Sequence, residues 1–322
     1  MTRENSAYEA AVMYFVQDEK METIAKKLKV SRSTVSRLIQ HARETGMVRI
    51  SLNPPDSTVN SLAGRLEERF GVKAFIAPVS ASADSARRMQ AVANLAAQVL
   101  SDSVEDETVV AAAWGNMVSA VAEQLPMKKV SGVRVVQLNG AATGDNAGMP
   151  HAGAIMEKIG EAFSAQVIHF AVPAFFDYPE TRTQLWKERS VSSVIELGRN
   201  ADVAIFGVGS QAAAASSLVY SGGYFTHEEL VELDQAGVVG DVCTVMFRAD
   251  GTFEDLDVNF RASGPSPNEL TGIKKRILAV SGQPKAVAAL AGLRAGVATD
   301  LVIDESTALT LLQLADEADG LR

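Results

Sequence analysis

Residues 21–45 read METIAKKLKVSRSTVSRLIQHARET, and the spacing of their apolar positions sets the architecture of the N-terminal end. Ile24, Ala25 and Leu28 fall on one face of a short helix, and Val35, Leu38, Ile39 and Ala42 on one face of the next. Only Lys29, Val30 and Ser31 lie between them, with Ser31 placed to cap the second helix by accepting from a first-turn N–H. Two amphipathic helices joined by so short a turn form a helix-turn-helix. The small Ala25 suits the point where the helices come closest, and Gly46 is the expected stop of the second. Lys29 occupies the turn position where glycine is usual, so left-handed backbone there costs about 1–2 kcal/mol.

With the apolar stripe inward, Arg32, Ser33, Ser36, Arg37 and Gln40 face outward along the N-terminal half of the second helix, while Thr34 can face either way. Arginine forks onto guanine, glutamine matches adenine, and hydroxyls accept several base edges. Lys26, Lys27 and Lys29 are better placed to neutralise phosphates, which gives affinity without sequence information. The competing reading is a helical hairpin whose outer face is merely solvated. Against it stands the conjunction of cap, spacing and residue types with seven Lys and Arg, and one acid, between residues 20 and 43.

That basic head belongs to an acidic chain. Residues 1–51 carry nine Lys and Arg against six acids, +3, whereas residues 52–322 carry 21 against 33, −12. Such asymmetry suits a protein of which only the head meets a polyanion. At 322 residues two domains are expected: a helix-turn-helix domain over 1–52, a linker over 53–60 within the run NPPDSTVNS, and a larger domain over 61–322. No apolar run approaches the roughly 20 residues of a membrane span, and the start MTRENSAYEA lacks a signal layout, so a cytoplasmic protein with no membrane partner is expected. The single cysteine, Cys243 in DVCTVMF, excludes an internal disulfide and reads as a buried, inert thiol. His41, His151, His169 and His227 are scattered, so no metal site is expected.

Beyond residue 60, short apolar runs alternate with helical patterns. VKAFIAPV, TVVAAA, VRVVQL, AQVIHFAV, ADVAIFGV, DVCTVMF, RILAVSG and DLVID read as strands. Helices are expected over 84–100, 118–125, 152–163, 226–235, 284–293 and 306–315. The class is therefore α/β, with a mostly parallel sheet of Rossmann type covered on both faces. In FRADGTFEDLDVNF an Asp-Gly pair between alternating runs predicts an inserted β-hairpin.

Ligands of open α/β sheets bind beyond the carboxyl ends of the strands. The candidate effector residues are accordingly Trp114, Gly115, Asn116 and Met117; Asn139 and Gly140, within NGAATGDNAG; Gly207 and Gly209; Asp241; and Gln283 and Lys285. Glycines let backbone N–H groups approach a ligand, and helix starts favour anions. Tight turns explain each glycine alone equally well, and Asp241 at the head of a strand could be a structural cap.

The helix-turn-helix with TVSRLIQHARETGMVRI, then AWGNMVSAVAEQL, VVQLNGA, VGDVCTVMFRADG and ILAVSGQPKAVAALAGLRAGVATDLVIDESTALTLL, resemble in order the SorC family of bacterial sugar-responsive transcriptional regulators, over nearly the whole chain. The resemblance implies an effector domain related to sugar-phosphate isomerases and a homo-oligomer, tetramer or dimer, on double-stranded operator DNA. It also implies a sugar, sugar phosphate or polyol effector that modulates DNA affinity, with no cofactor and no catalysis. Two positions depart from the family pattern. Met117 stands where members carry a phosphate-holding hydroxyl, and Asn139 stands where some carry a basic residue for phosphate or an imine. An imine at Asn139 is chemically excluded, and backbone N–H groups with Lys285 remain for any phosphate. The alternative classes are an isomerase-like enzyme with an appended DNA-binding domain, for which Asp145 and Asp241 would be the crevice acids, and a ligand-free scaffold.

Overall fold

The computed structural model describes residues 3–45, 47–48, 59–80, 82–141, 148–318 and 320. The chain divides into two compact units, Met1–Pro55 and Asp56–Arg322. Of the expected linker, 53–58 lie outside the described residues, and Val59 and Asn60 begin a helix instead.

The first unit holds α1 (Arg3–Ala11), which runs into a π-helical turn over Val12–Val16, then α2 (Met21–Leu28) and α3 (Arg32–Glu44). Ile24, Val35, Leu38, Ile39 and Ala42 are buried together, as the spacing requires, with Leu28 and Ala25 half-buried beside them. The sequence reading did not include α1. Its Ala7, Ala10 and Ala11 complete this core, small side chains that let α1 lie close on α3. Lys29 is left-handed (φ 55°, ψ 40°), and the N–H of Val30 returns to Ala25 O at 3.0 Å, closing α2. Ser31 Oγ accepts the Thr34 N–H at 3.1 Å, the expected cap. Gly46 lies outside the described residues, and α3 closes on Thr45, whose N–H and hydroxyl reach His41 O at 2.9 and 2.7 Å.

The second unit runs α4 (Val59–Phe70), β1 (Lys73–Ala77), α5 (Ser85–Asp102), β2 (Val109–Ala112), α6 (Asn116–Gln124), β3 (Arg134–Gln137), α7 (Gly148–Phe163) and β4 (Gln166–Ile168). It continues through α8 (Pro179–Leu185), α9 (Arg189–Arg199), β5 (Val203–Phe206), β6 (Gly209–Ser210), α10 (Leu218–Ser221), α11 (His227–Gln235), β7 (Val238–Val242) and β8 (Val245–Arg248). It ends with α12 (Pro267–Leu270), β9 (Lys275–Val280), α13 (Ala286–Arg294), β10 (Asp300–Asp304) and α14 (Glu305–Ala318). Seven strands pair in the order β1-β10-β9-β5-β2-β3-β4, every pairing parallel.

The apolar runs are continuous because both faces are covered. Val110, Val135, Ile205 and Ile277 pack into one core with α5, α6 and α7. Their neighbours Val109, Val136, Phe206 and Leu278 pack into a second core with α4, α13 and α14. Asp84 and Thr226 cap α5 and α11, and Glu229 completes a capping box with Thr226.

Two expectations fail together at the second, antiparallel sheet, ordered β6-β7-β8. DVCTVMF is not one strand: the chain reverses at Cys243 (φ 51°) and Thr244 (φ 72°), and Val242 pairs with Val245. A two-residue hairpin turn wants positive φ at both central residues, which Asn-Gly advertises and Cys-Thr does not. Side-chain bonds, two local and one from a distant segment, hold it instead. Thr244 N–H donates to Asp241 Oδ2 at 3.2 Å, the Thr244 hydroxyl donates to Cys243 O, and Gly264 N–H reaches Thr244 Oγ1 at 3.3 Å. Asp241 consequently lies near the end of a strand rather than at its head.

At the Asp250-Gly251 pair a turn forms (Gly251 φ 91°), but no second strand follows. The side chain of Asn259 takes its place against β8, accepting from Met246 N–H at 2.7 Å and donating to Met246 O at 2.8 Å.

Lys29→Gly removes the left-handed penalty and should stabilise the N-terminal unit by up to about 1 kcal/mol in denaturant unfolding. A destabilised variant would contradict this account of the turn. Phe206→Ala opens the second core and should cost the large unit about 3–5 kcal/mol, and a loss below about 1 kcal/mol would contradict its central place.

Candidate functional site

The sheet brings the carboxyl ends of β2, β3 and β5 together, and the β7–β8 turn lies against them. The cleft there encloses about 500 Å³, open mouth included, and is lined by Trp114, Gly115, Asn116, Met117, Asn139, Gly207, Gly209, Asp241 and Lys285 among the expected residues. Gly140 and Gln283 are not in the lining. Gly140 is locked into the structure: its N–H donates to Ser263 Oγ at 2.9 Å, and a Cβ there would lie 2.3 Å from Val172 O. Gln283 is exposed on the 3-10 turn that precedes α13. Asp145 lies outside the described residues.

The lining also includes Ser217, Leu218 and Val219 at the start of α10, and Cys243 with Thr244. Sequence reasoning missed these because the Cys-Thr turn reads as strand and α10 is a four-residue helix without a periodic pattern.

Aromatic packing holds the rim. Trp114 Nε1 donates to Gly140 O at 2.9 Å, and its ring stacks on Tyr224 with centroids 5.5 Å apart. The Tyr224 hydroxyl in turn donates to Ala141 O at 3.1 Å. Gly115, at φ 144°, supplies the bend from which α6 starts, a conformation that L side chains rarely adopt.

Asp241 is 4% exposed, with Oδ2 held by Thr244 N–H and Oδ1 without a partner. Burial pushes its carboxyl up to about 7, against the lowering effects of the Thr244 N–H and the Lys285 charge. Burial lowers the Lys285 ammonium, the nearby Asp241 charge partly restores it, and Nζ donates to Val208 O at 3.1 Å. Asn139, 2% exposed, also has an unpartnered Oδ1. Burial, then the Asp241 charge, pushes the Cys243 thiol well up, so this is an inert thiol as expected. Among the described residues no His, Cys, Asp and Glu cluster could hold a metal ion.

In the first unit, Lys26, Lys27, Lys29, Arg32, Ser33, Ser36, Arg37 and Gln40 are exposed on α2, the turn and α3. Thr34 is half-buried and committed to the cap, its hydroxyl 2.8 Å from Ser31 Oγ. Ser33 Oγ lies 2.7 Å from the same oxygen. Lys27 pairs with Glu19, and Arg32 with Glu22 at 3.3 Å. Both cations are more than half exposed, so these pairs are weak enough to yield to a phosphate.

Residues 57–313 match the family model described as "Putative sugar-binding domain". The chain is 31% identical to the deoxyribonucleoside regulator of Bacillus subtilis over 311 residues, 96% of this chain and 98% of that one. The crystal structure of "a domain of a possible sugar-binding transcriptional regulator" from Arthrobacter aurescens TC1 is 38% identical and superposes with a TM-score of 0.75, covering 81% of this chain and 100% of that one. The full-length sorbitol operon regulator SorC of Klebsiella pneumoniae, 24% identical, shares the fold at a TM-score of 0.76 over 95% of this chain and 97% of its own. Among the described residues no helix is long and apolar enough to cross a membrane.

Because its folded-state pKa is raised, Asp241 takes up a proton more readily in the folded chain than in the unfolded one. Its neutral form therefore favours folding at low pH, and that contribution is lost as pH rises from about 4 through about 7. Asp241→Asn keeps the Thr244 contact without the charge. Relative to the parent it should gain about 1 kcal/mol or more of stability between about pH 5 and about pH 8 in denaturant unfolding. A pH-independent difference would contradict the raised pKa. Gly209→Ala would place a Cβ 1.8 Å from Asp241 Oδ1 and should destabilise the large unit. A variant as stable as the parent would show that the carboxylate has room to move.

Proposed function

The chain belongs to the SorC family of sugar-binding transcriptional regulators, and on that footing we propose how it works: α2 and α3 hold operator DNA, and a carbohydrate in the strand-end pocket sets the affinity. One observation carries the first half. The outward side of α3 presents Arg32, Ser36, Arg37 and Gln40 to solvent above a stripe of buried Val35, Leu38, Ile39 and Ala42. Those outward side chains can donate to and accept from base edges in a major groove. Lys26 and Lys27, on the preceding helix, serve the phosphates.

The pocket supports binding rather than turnover. General acid–base chemistry needs groups free to exchange protons with a substrate. Asp241, with an unpartnered Oδ1 and a carboxyl pushed up to about 7, could exchange a proton, but among the described lining residues it has no second such group to work with: Lys285 is spent on Val208 O and on offsetting Asp241, and the Cys243 thiol is inert. The protein acts as an effector-binding regulator without a cofactor. A homo-oligomer, a dimer or a tetramer of two such dimers, pairs the α3 helices on half-sites about 34 Å or a multiple apart.

In a gel-shift titration the purified chain should retard its own upstream DNA in preference to a scrambled duplex of equal composition, and equal retardation of both would contradict sequence reading. Arg37→Ala should narrow the preference between matched and mismatched sites by about 1–3 kcal/mol, whereas Lys27→Ala should weaken every sequence alike and reduce the salt slope by about 1. Indistinguishable behaviour of the two variants would overturn the division of labour between α3 and α2.

A further inference from the structure

The pocket's polar groups are unbalanced in one direction. Asp241 Oδ1 and Asn139 Oδ1 are both buried and without a hydrogen-bond partner, and both residues belong to the lining of one cleft. Unmet acceptors buried from water are costly, and each is relieved only by a group that donates. A phosphate dianion carries no proton to give them and, above about pH 7 where the Asp241 carboxyl is ionised, brings charge of the same sign. A sugar hydroxyl donates one hydrogen and accepts as well.

The positive side of the cleft is too weak to reverse that preference. Among the described residues Lys285 is the cation in the lining; its Nζ already donates to Val208 O, and its charge opposes Asp241. The adjoining sequence from Asn139 to Pro150 contains no Lys or Arg and one acid, Asp145. The N-terminal end of α6 offers backbone N–H groups worth about half a positive charge, less than the full charge of one carboxylate. Met117, where a hydroxyl would help hold a phosphate, offers no hydroxyl and sets its Cβ and Cγ near Gly207.

We propose that the effector of this pocket is an unphosphorylated sugar or sugar alcohol whose hydroxyls donate to Asp241 Oδ1 and Asn139 Oδ1, and that phosphate esters are disfavoured. The inference rests on the reading of this pocket as the carbohydrate site and names the class of carbohydrate it takes. Two acceptors in one cleft suit neighbouring hydroxyls of a polyol, each filling one unmet bond.

Isothermal titration calorimetry on the full chain tests it, with erythritol, xylitol, sorbitol, ribose and deoxyribose, the monophosphate of each, and inorganic phosphate as probes. At least one neutral compound should bind, at least tenfold more tightly than its own phosphate ester. Asp241→Asn should weaken that compound about tenfold or more, as loss of a hydrogen bond to a charged group implies. It should also narrow the gap to the ester by removing the repelling charge. An ester that binds more tightly than its parent would overturn the inference while leaving the regulator's carbohydrate site standing. Absence of heat from every compound would remove both. Unchanged affinity in a folded Asp241→Asn variant would overturn the role given to that carboxylate.

Discussion

A parallel strand buried on both faces has no place for polar side chains except at its ends, and that constraint shapes the large unit. Val109 to Ala112 and Val203 to Phe206 are buried throughout, one residue facing each core in turn. Backbone bonds within the sheet satisfy the strands, so chemistry is displaced to where they stop. Trp114 and Gly115 follow β2, Asn139 follows β3, and Gly207 and Gly209 follow β5. Interior strands cannot host these groups without burying unmet polar atoms. The pocket is therefore a consequence of the sheet, and its residues come from distant points in the chain.

Those points were legible to the extent that local signals mark strand ends. Glycines after apolar runs led to most of the lining, and Ser31, flanked by two apolar stripes, led to the helix-turn-helix. The part that escaped is the part set by tertiary contacts. Cys243 and Thr244 adopt left-handed backbone because Asp241, Gly264 and their own bonds hold them there, and nothing in DVCTVMF announces a reversal. Asn259 replaces an expected strand with one side-chain amide. The alanines of α1 are too weakly amphipathic to declare a helix before the α3 surface they cover is known.

The Cys-Thr turn also ties shape to electrostatics. The carboxylate that holds the turn through Oδ2 is the one that presents Oδ1 unpaired. A ligand that donates to Asp241 therefore bears on a strained segment, and through Thr244 Oγ1 on Gly264. Gly140, next to the lining residue Asn139, is bonded to Ser263, the residue before Gly264. The β7–β8 turn and the residue after Asn139 thus both bond to one short segment, Ser263 and Gly264, which gives an occupant physical leverage on the surrounding structure.

Regulation demands that occupancy of the cleft and grip on DNA share a free energy, and such coupling is reciprocal. The most direct measurement is the affinity of the full chain for its own upstream DNA, by fluorescence anisotropy, with and without a saturating carbohydrate that binds the chain. It is paired with the affinity for that carbohydrate with and without the DNA. The account predicts that the two ratios agree and differ from one. Equal DNA affinity in the presence and absence of a bound carbohydrate would contradict it.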